Sequence, residues 1–325
     1  MRHNRYDRRD HNHSNRSNDS RRPRRVYHPP VHGRQPGEGE RRFLAGTAID
    51  PSPRIRLEDG SSEMTMRVMD LICPIGMGQR GLIVAPPGSG KTTFLKHLCT
   101  SIAKSCPKSK LYCLLINERP EEVTDFRRSV TAEVRASSLD EAYDHHIATA
   151  DVLMKQIFEE VSGGQDVVLL VDSLTRLARV HNSEQRTSGR TLSGGVDARA
   201  LEVPRRIFGA ARKIENGGSL TILATILVDT GSRMDQVIFE EFKGTGNMEI
   251  YLSRDLSSRR IFPAVDISKS GTRKEELLLG ADECARVGKI RRMLTEFPPA
   301  EAMKMLIETL AKYPTNSDLF ATIDI

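Results

Sequence analysis

The 325-residue sequence has no stretch approaching about 20 uncharged apolar residues, so no membrane-spanning helix is expected. Its first residues, Met1-Arg2-His3-Asn4-Arg5, lack the apolar core of a secretory signal. Asp7, Asp10 and Asp19 argue against an acid-poor organellar transit peptide. Cysteine is scarce and unpatterned: Cys73, Cys99, Cys106, Cys113 and Cys284 are odd in number and contain no CxxC pair. That disfavours a disulfide frame or a zinc site and leaves free thiols in a reducing cytoplasm as the expectation. No internal repeat is visible, and a hydrophobic fraction of 38% with a mean hydropathy of −0.42 suits a globular chain.

Charge is unevenly placed. The net charge is +6, yet residues 1–42 hold twelve arginines and no lysine against Asp7, Asp10, Asp19, Glu38 and Glu40. This segment carries +7 and the remainder −1. With few apolar residues and Pro23, Pro29, Pro30 and Pro36 as breakers, residues 1–42 read as a disordered, solvated, basic tail. Such Arg-rich arms bind phosphate backbones by charge, without sequence preference. Residues 43–75 read as a linker, with strand-like alternation at 54–57 and an apolar run at 66–72 ahead of Pro74.

From residue 76 to 325 apolar runs and helical patterns alternate. Strands are expected at 82–85, 111–116, 166–171, 220–228, 248–252 and 261–266. Helices are expected at 92–105, 121–131, 140–161, 174–180 and 234–242, with a helical, more polar end from about 282. Short apolar strands separated by helices imply an α/β fold whose mainly parallel sheet is covered on both faces.

The strongest local signal is Ala85-Pro86-Pro87-Gly88-Ser89-Gly90-Lys91-Thr92. It matches the phosphate-binding loop pattern GxxxxGK[ST] except at Ala85, and it lies between a strand and a helix as that chemistry requires. Gly88 and Gly90 let backbone N–H groups turn onto phosphate oxygens, Lys91 supplies a positive charge, and the Thr92 hydroxyl suits Mg²⁺. The run Val167-Val168-Leu169-Leu170-Val171-Asp172 ends in an acid that could also hold Mg²⁺, although many buried strands end in Asp. Glu118 follows the strand at 111–116, where a carboxylate can polarise an attacking water. Taken alone it reads more simply as a surface or helix-capping glutamate, and Arg119 is equally ambiguous.

Longer strings carry a resemblance. Arg80-Gly81-Leu82-Ile83-Val84-Ala85-Pro86-Pro87, Leu115-Ile116-Asn117-Glu118-Arg119-Pro120-Glu121-Glu122-Val123-Thr124 and Asp172-Ser173-Leu174-Thr175-Arg176-Leu177-Ala178-Arg179 resemble the transcription termination factor Rho family. So do Ser193-Gly194-Gly195-Val196-Asp197-Ala198, Glu240-Glu241-Phe242-Lys243-Gly244-Thr245-Gly246-Asn247 and Ser270-Gly271-Thr272-Arg273-Lys274-Glu275-Glu276. The similarity covers roughly residues 43–325.

This resemblance implies a RecA-like motor that assembles as a homohexameric ring, binds ATP and Mg²⁺ between subunits and threads RNA through its central hole. Hydrolysis would move the ring along RNA toward RNA polymerase. It implies that Gly76, Met77, Gly78, Gln79, Arg80 and Gly81, together with Gly88, Ser89, Gly90, Lys91, Thr92 and Thr93, line the nucleotide. It makes Glu118 the water-activating base and gives Mg²⁺ to Thr92 and Asp172. Phe262 would meet the adenine, Arg273 would act as an arginine finger in the neighbouring subunit, and Arg119 and Arg260 would be further phosphate-sensing cations. RNA would be gripped by Arg190, Thr191, Leu192, Ser193, Gly194 and Gly195, and by Thr230, Gly231, Ser232 and Arg233.

The chain departs from the family pattern. Gly88-Ser89 stands where Lys-Ala is usual, Asn117 where Asp is usual, and Arg190 and Arg233 where lysines are common. Residues 1–42 offer only Tyr6 and Tyr27 as aromatics, so the family's N-terminal OB or cold-shock RNA-capturing barrel is expected to be lacking. Two other readings therefore stay open. One is a Rho-derived ring ATPase with another nucleic-acid remodelling task, and the other is an RNA-binding regulator that does not translocate.

Overall fold

A strand covered on both faces needs apolar residues at nearly every position, and four segments meet that demand. In the computed structural model, which describes residues 36–184 and 193–323, they form the middle of one sheet. Along the chain, α1 (Glu38–Ala45) precedes the short strands β1 (Ala48–Ile49) and β2 (Arg54–Ile55). Helix α2 (Met64–Ile72) and β3 (Ile75–Gly76) follow, then β4 (Arg80–Ala85), α3 (Lys91–Ser105) and β5 (Lys110–Glu118). Next come α4 (Pro120–Ser129), β6 (Glu133–Ser138), α5 (Tyr143–Ser162), β7 (Asp166–Asp172) and α6 (Leu174–Glu184). Helix α7 (Glu202–Gly209), β8 (Arg212–Ile214), β9 (Ser219–Leu227), α8 (Arg233–Phe242), β10 (Met248–Tyr251) and α9 (Arg254–Ser258) continue the alternation. β11 (Gly271–Thr272) and four helices, α10 (Glu276–Leu279), α11 (Ala281–Thr295), α12 (Pro299–Leu310) and α13 (Asn316–Phe320), close the described chain.

The main sheet runs β11-β10-β4-β9-β7-β5-β6, with β8 attached to β9 and β1 to β8. Every pair from β10 to β6 is parallel, whereas β11, β8 and β1 pair antiparallel. This is the expected α/β core with a mainly parallel sheet and a helical C-terminal part. Parallel pairing puts the carboxyl ends of β4, β7 and β5 along one edge, where open α/β sheets present their ligand crevice. Register sets the depth of that crevice. Asp172 pairs with Leu115, so Glu118 stands three residues beyond it on β5. Among the described residues no helix is long and apolar enough to cross a membrane.

Several expectations need correction. The tail boundary at 42 falls inside α1, whose Phe43 is buried with its ring centroid 6.3 Å from that of Phe158 on α5. A Cβ on Gly39 would come within 3.0 Å of the Phe158 carbonyl oxygen, so a side-chain-free position lets α1 lie this close. Disorder over residues 1–35 was expected, but these lie outside the described residues. Residues 43–75 are not a linker. Ile55 and Leu57 are fully buried, and α2 buries every residue from Met66 to Ile72. Asp70 on that helix accepts from the Leu57 and Glu58 N–H groups at 3.1 and 2.8 Å, bracing the two halves of the segment against each other. Burial, partly offset by Arg54, pushes the Asp70 carboxyl up to about 6.

The strand expected at 261–266 is reduced to a single bridge, Leu252 to Val265. Pro263 interrupts the run and has no N–H to give a ladder. Strand β6 and helix α7 were not foreseen. The first is a half-exposed edge strand of sequence EVRASS, whose apolar alternation is weak. The second is eight residues long with Pro204 inside it.

Candidate active site

Lys91 opens α3 at the end of the Gly-rich loop. Gly90, the N-cap, has φ +86° and Gly88 φ +74°, a left-handed backbone that only glycine adopts freely. The first N–H groups of a 15-residue helix therefore point out of the loop, and the helix dipole adds positive potential there. The Oγ of Ser89 is buried in this turn and has no protein hydrogen-bond partner. An orphaned hydroxyl inside an anion cradle fits a phosphate oxygen as its acceptor.

Three strand ends converge on the lysine. Its Nζ lies 2.6 and 2.5 Å from the Asp172 carboxylate oxygens and 3.3 Å from Glu118 Oε1. Thr225 on β9 donates its hydroxyl to Asp172 Oδ1 at 2.7 Å, fixing that carboxylate. Arg176, three residues into α6, places Nη1 2.6 Å from Glu118 Oε2 and donates to the Asn117 carbonyl at 2.5 Å. Asn117 itself has φ +56°, a conformation that Asn tolerates better than most residues. Glu118 and Asp172 are both buried, at 3% and 4% exposure.

Burial pulls the Lys91 ammonium's pKa down, but Asp172 and Glu118 outweigh it, and the group stays above its ordinary value. Burial raises Glu118, the Asp172 charge raises it further, and Lys91 and Arg176 hold it back without cancelling the rise. The result is a buried carboxylate beside a phosphate cradle, more basic than an ordinary glutamate. That combination suits proton abstraction from a water.

The end of α9 and the loop after it cover the cradle. Ser257 donates its hydroxyl to the Gly88 carbonyl at 2.9 Å, and a Cβ on Gly90 would lie 3.7 Å from the Phe262 ring. Phe262 is nonetheless 49% exposed, leaving an aromatic face open next to the loop. Arg119 and Arg260 are exposed, the first at the start of α4 beside Glu118, the second two residues before Phe262.

Other expected nucleotide residues do not join this protomer's cradle. Gly76, Met77, Gly78 and Gln79 lie before β4, at the opposite end of a six-residue strand from the loop. They are packed there. Gly78 N–H donates to Thr221 at 2.8 Å, Gln79 Nε2 donates to Asn247 Oδ1 at 2.6 Å, and a Cβ on Gly78 would collide with the Lys213 backbone at 2.4 Å. Gly81 is buried within β4 against Met248 and Leu223. Arg273 is level with Arg80, because Thr272 and Gly81 both pair with Met248. Both arginines therefore stand at the amino end of the sheet, far from their own Lys91.

The described end of the first expected RNA loop meets the second. Arg190, Thr191 and Leu192 lie outside the described residues. Gly194 comes so near the second loop that a Cβ would be 2.9 Å from the Arg233 carbonyl oxygen. Thr230, Gly231, Ser232 and Arg233 form the turn from β9 into α8 and line a cleft of about 590 Å³ that also includes Gly194. Asp235 anchors this turn, accepting from Thr230 at 2.6 Å and from Arg179 at 2.7 Å through each carboxylate oxygen. Arg176 and Thr225 were missed as members of the site. The only sequence signal for Arg176 was its place four residues after Asp172, one helical turn from the strand end.

Comparison with known proteins identifies the family and the fold. Residues 65–272 match the ATP synthase alpha/beta family, nucleotide-binding domain. The chain is 51% identical over 277 residues to the transcription termination factor Rho of Haemophilus influenzae, covering 84% of this chain and 66% of that protein. It is 49% identical over 292 residues to the Bacillus subtilis factor, covering 89% and 68%, and 50% identical over 294 residues to that of Streptomyces lividans, covering 90% and 41%. It thus spans between two fifths and about two thirds of these relatives' lengths. Among solved structures, a prototypical ATPase from the type III secretion system of pathogenic bacteria shares the fold with a TM-score of 0.67 at 20% identity, covering 86% of this chain and 85% of that one. The assembled ATPase EscN of the enteropathogenic E. coli system gives 0.64 at 22% identity, covering 83% and 63%. By the extent of these matches, the chain belongs to the transcription termination factor Rho family, within the ATP synthase alpha/beta nucleotide-binding class.

Proposed function

We propose that this chain is an RNA-dependent ATPase of the termination-factor type, working in the cytoplasm as a homohexameric ring that threads RNA and acts on the transcribing polymerase. The carrying observation is the split of the catalytic set. Lys91, Glu118 and Asp172 converge at the head of α3, whereas Arg273 stands at the other end of the sheet. A finger so placed can reach phosphate only in a neighbouring copy, and that requires assembly.

In this reading the loop N–H groups, Ser89 and Lys91 hold the polyphosphate, and Phe262 faces the base. Arg119 and Arg260 border the terminal phosphate. Glu118 takes the proton of the attacking water while Arg176 and Lys91 keep it ionised. Among the described residues no three His, Cys, Asp or Glu side chains gather as a cage. The donors at hand, the Thr92 hydroxyl and the Asp172 carboxylate, fit Mg²⁺, which binds through one or two protein oxygens plus substrate phosphates and would neutralise developing charge. The segments 188–195 and 230–233 combine glycine, hydroxyls and one cation each, a composition that suits a backbone grip with little base reading.

The test is ATP turnover by the purified chain with poly(C), other RNA and DNA. RNA is expected to stimulate, Lys91→Ala to abolish turnover, and added polymerase complexes to release transcripts. Turnover unaffected by any nucleic acid overturns the translocase reading, and full activity of Lys91→Ala overturns the cradle.

A further inference from the structure

Three arginines gather at the amino ends of the sheet strands. Arg80 donates Nε to the Thr245 carbonyl at 2.6 Å and Nη1 to that of Ala211 at 3.4 Å. Arg212, at the start of β8, donates Nε to Ala210 at 3.2 Å and Nη2 to Gly209 at 3.1 Å. Arg273 donates Nη2 to Gly244 at 3.3 Å. Two short carbonyl runs, 209–211 and 244–245, thus hold three guanidiniums side by side.

No carboxylate of the described residues pairs with any of the three. The nearest by sequence placement, Glu249, accepts instead from the Gly244 N–H at 2.9 Å and the Tyr251 hydroxyl at 3.0 Å. Burial, then Arg212 and Arg273, lower the pKa of Arg80, and burial lowers that of Arg212. Like charges packed together on carbonyl dipoles create a strong positive potential that an anion would relieve. That anion is not in the protomer's own cradle. Five residue steps of β4, about 17 Å, separate Arg80 from Ala85, more than an arginine side chain spans.

We propose that Arg212, together with Arg80 and Arg273, receives the polyphosphate held by a second copy of this chain. Each nucleotide would then meet one copy's glycine-rich loop and three guanidiniums of the next. This rests on the reading that ATP binds between copies, and it assigns Arg212 a phosphate-binding role there. The half-buried Arg80 and Arg212 are locked by carbonyls, so they supply fixed charge, while the exposed Arg273 is free to close on the terminal phosphate.

Complementation separates this idea from the reading beneath it. Full-length Arg212→Gln is expected to lose about tenfold in kcat/KM for ATP. Arg212→Met, which keeps the aliphatic stem, serves the same measurement if the glutamine variant does not fold. Mixing the variant with Lys91→Ala subunits is then expected to raise activity per Arg212→Gln subunit, since an intact loop now faces an intact arginine cluster. Arg273→Ala mixed with Lys91→Ala is run beside it. If the Arg273 pair recovers and the Arg212 pair does not, or if Arg212→Gln and Arg212→Met are fully active, the Arg212 assignment is overturned while binding between copies stands. If neither pair recovers, binding between copies fails as well.

Discussion

Lys91 and Arg176 approach opposite oxygens of Glu118, and the balance of these charges decides when the carboxylate can accept a proton. Burial and Asp172 raise its pKa, and the two cations oppose the rise. A general base works only when ionised, so the acid limb of kcat against pH should lie above the ordinary glutamate range. Arg176→Gln removes one opposing charge and is expected to move that limb to higher pH, with Arg176→Lys largely restoring it. If Glu118 is the base as proposed, Glu118→Gln should lower kcat by about 10²–10⁴-fold. An acid limb that stays in place in Arg176→Gln would show that the 2.6 Å contact does not tune the base. Sequence alone supplied Lys91 and Thr92, because a local pattern fixes both glycines and the helix start. Local patterns left Glu118 and Asp172 ambiguous, and only the family resemblance gave them roles, because what distinguishes them from ordinary acids is their meeting across two strands. Arg176 carried no more than its place one turn after Asp172, since its partner lies 58 positions away in β5.

At the scale of elements, the strands buried on both faces were legible within a few residues, since continuous apolar runs have few alternative uses. Elements that depend on neighbours were not. Strand β6 pairs on one side only and carries a weakly apolar pattern. Residues 76–81 adjoin the P-loop strand in sequence, yet the strand's length carries them to the other end of the sheet. Helix α1 hid within an arginine-rich composition, and one side chain, Phe43, docks it at 3% exposure against α5. Removing a buried phenylalanine costs about 3–5 kcal/mol where the surroundings do not collapse. Beyond this ring, α1 is held by the close approach of Gly39 to α5 and by an ion pair of Glu40 with Arg206 at 3.9 Å, both weak for a helix of eight residues. Phe43→Ala is therefore expected to release α1 while the sheet stays folded. Amide exchange should accelerate over residues 38–45 and remain slow in β4, β7 and β9. Unchanged protection of α1 would mean that the helix is held by contacts other than this ring.

For the whole molecule, docking of α1 relocates the charge asymmetry. Within residues 36–42, Glu38 and Glu40 balance Arg41 and Arg42, so the entire +7 belongs to residues 1–35, which hold ten arginines and three aspartates. Ten arginines in a segment next to a nearly neutral remainder would contribute to the proposed RNA binding chiefly through counterion release, which is read in the salt dependence rather than in a single affinity. Each phosphate contact on a single strand contributes about 0.7 to the slope of log K against log salt, so a segment using half its arginines would contribute about 3.5. Deleting residues 1–35 is expected to weaken the proposed RNA binding most at low salt and to flatten that slope by about 3.5 units, leaving turnover without RNA unchanged because Lys91, Glu118 and Arg273 are untouched. A shorter deletion of residues 1–20, which removes five of the ten arginines and all three aspartates, should flatten the slope by a smaller step. If both deletions leave slope and affinity as they were, the arm takes no part in holding RNA, and binding belongs to the loops at 188–195 and 230–233 alone.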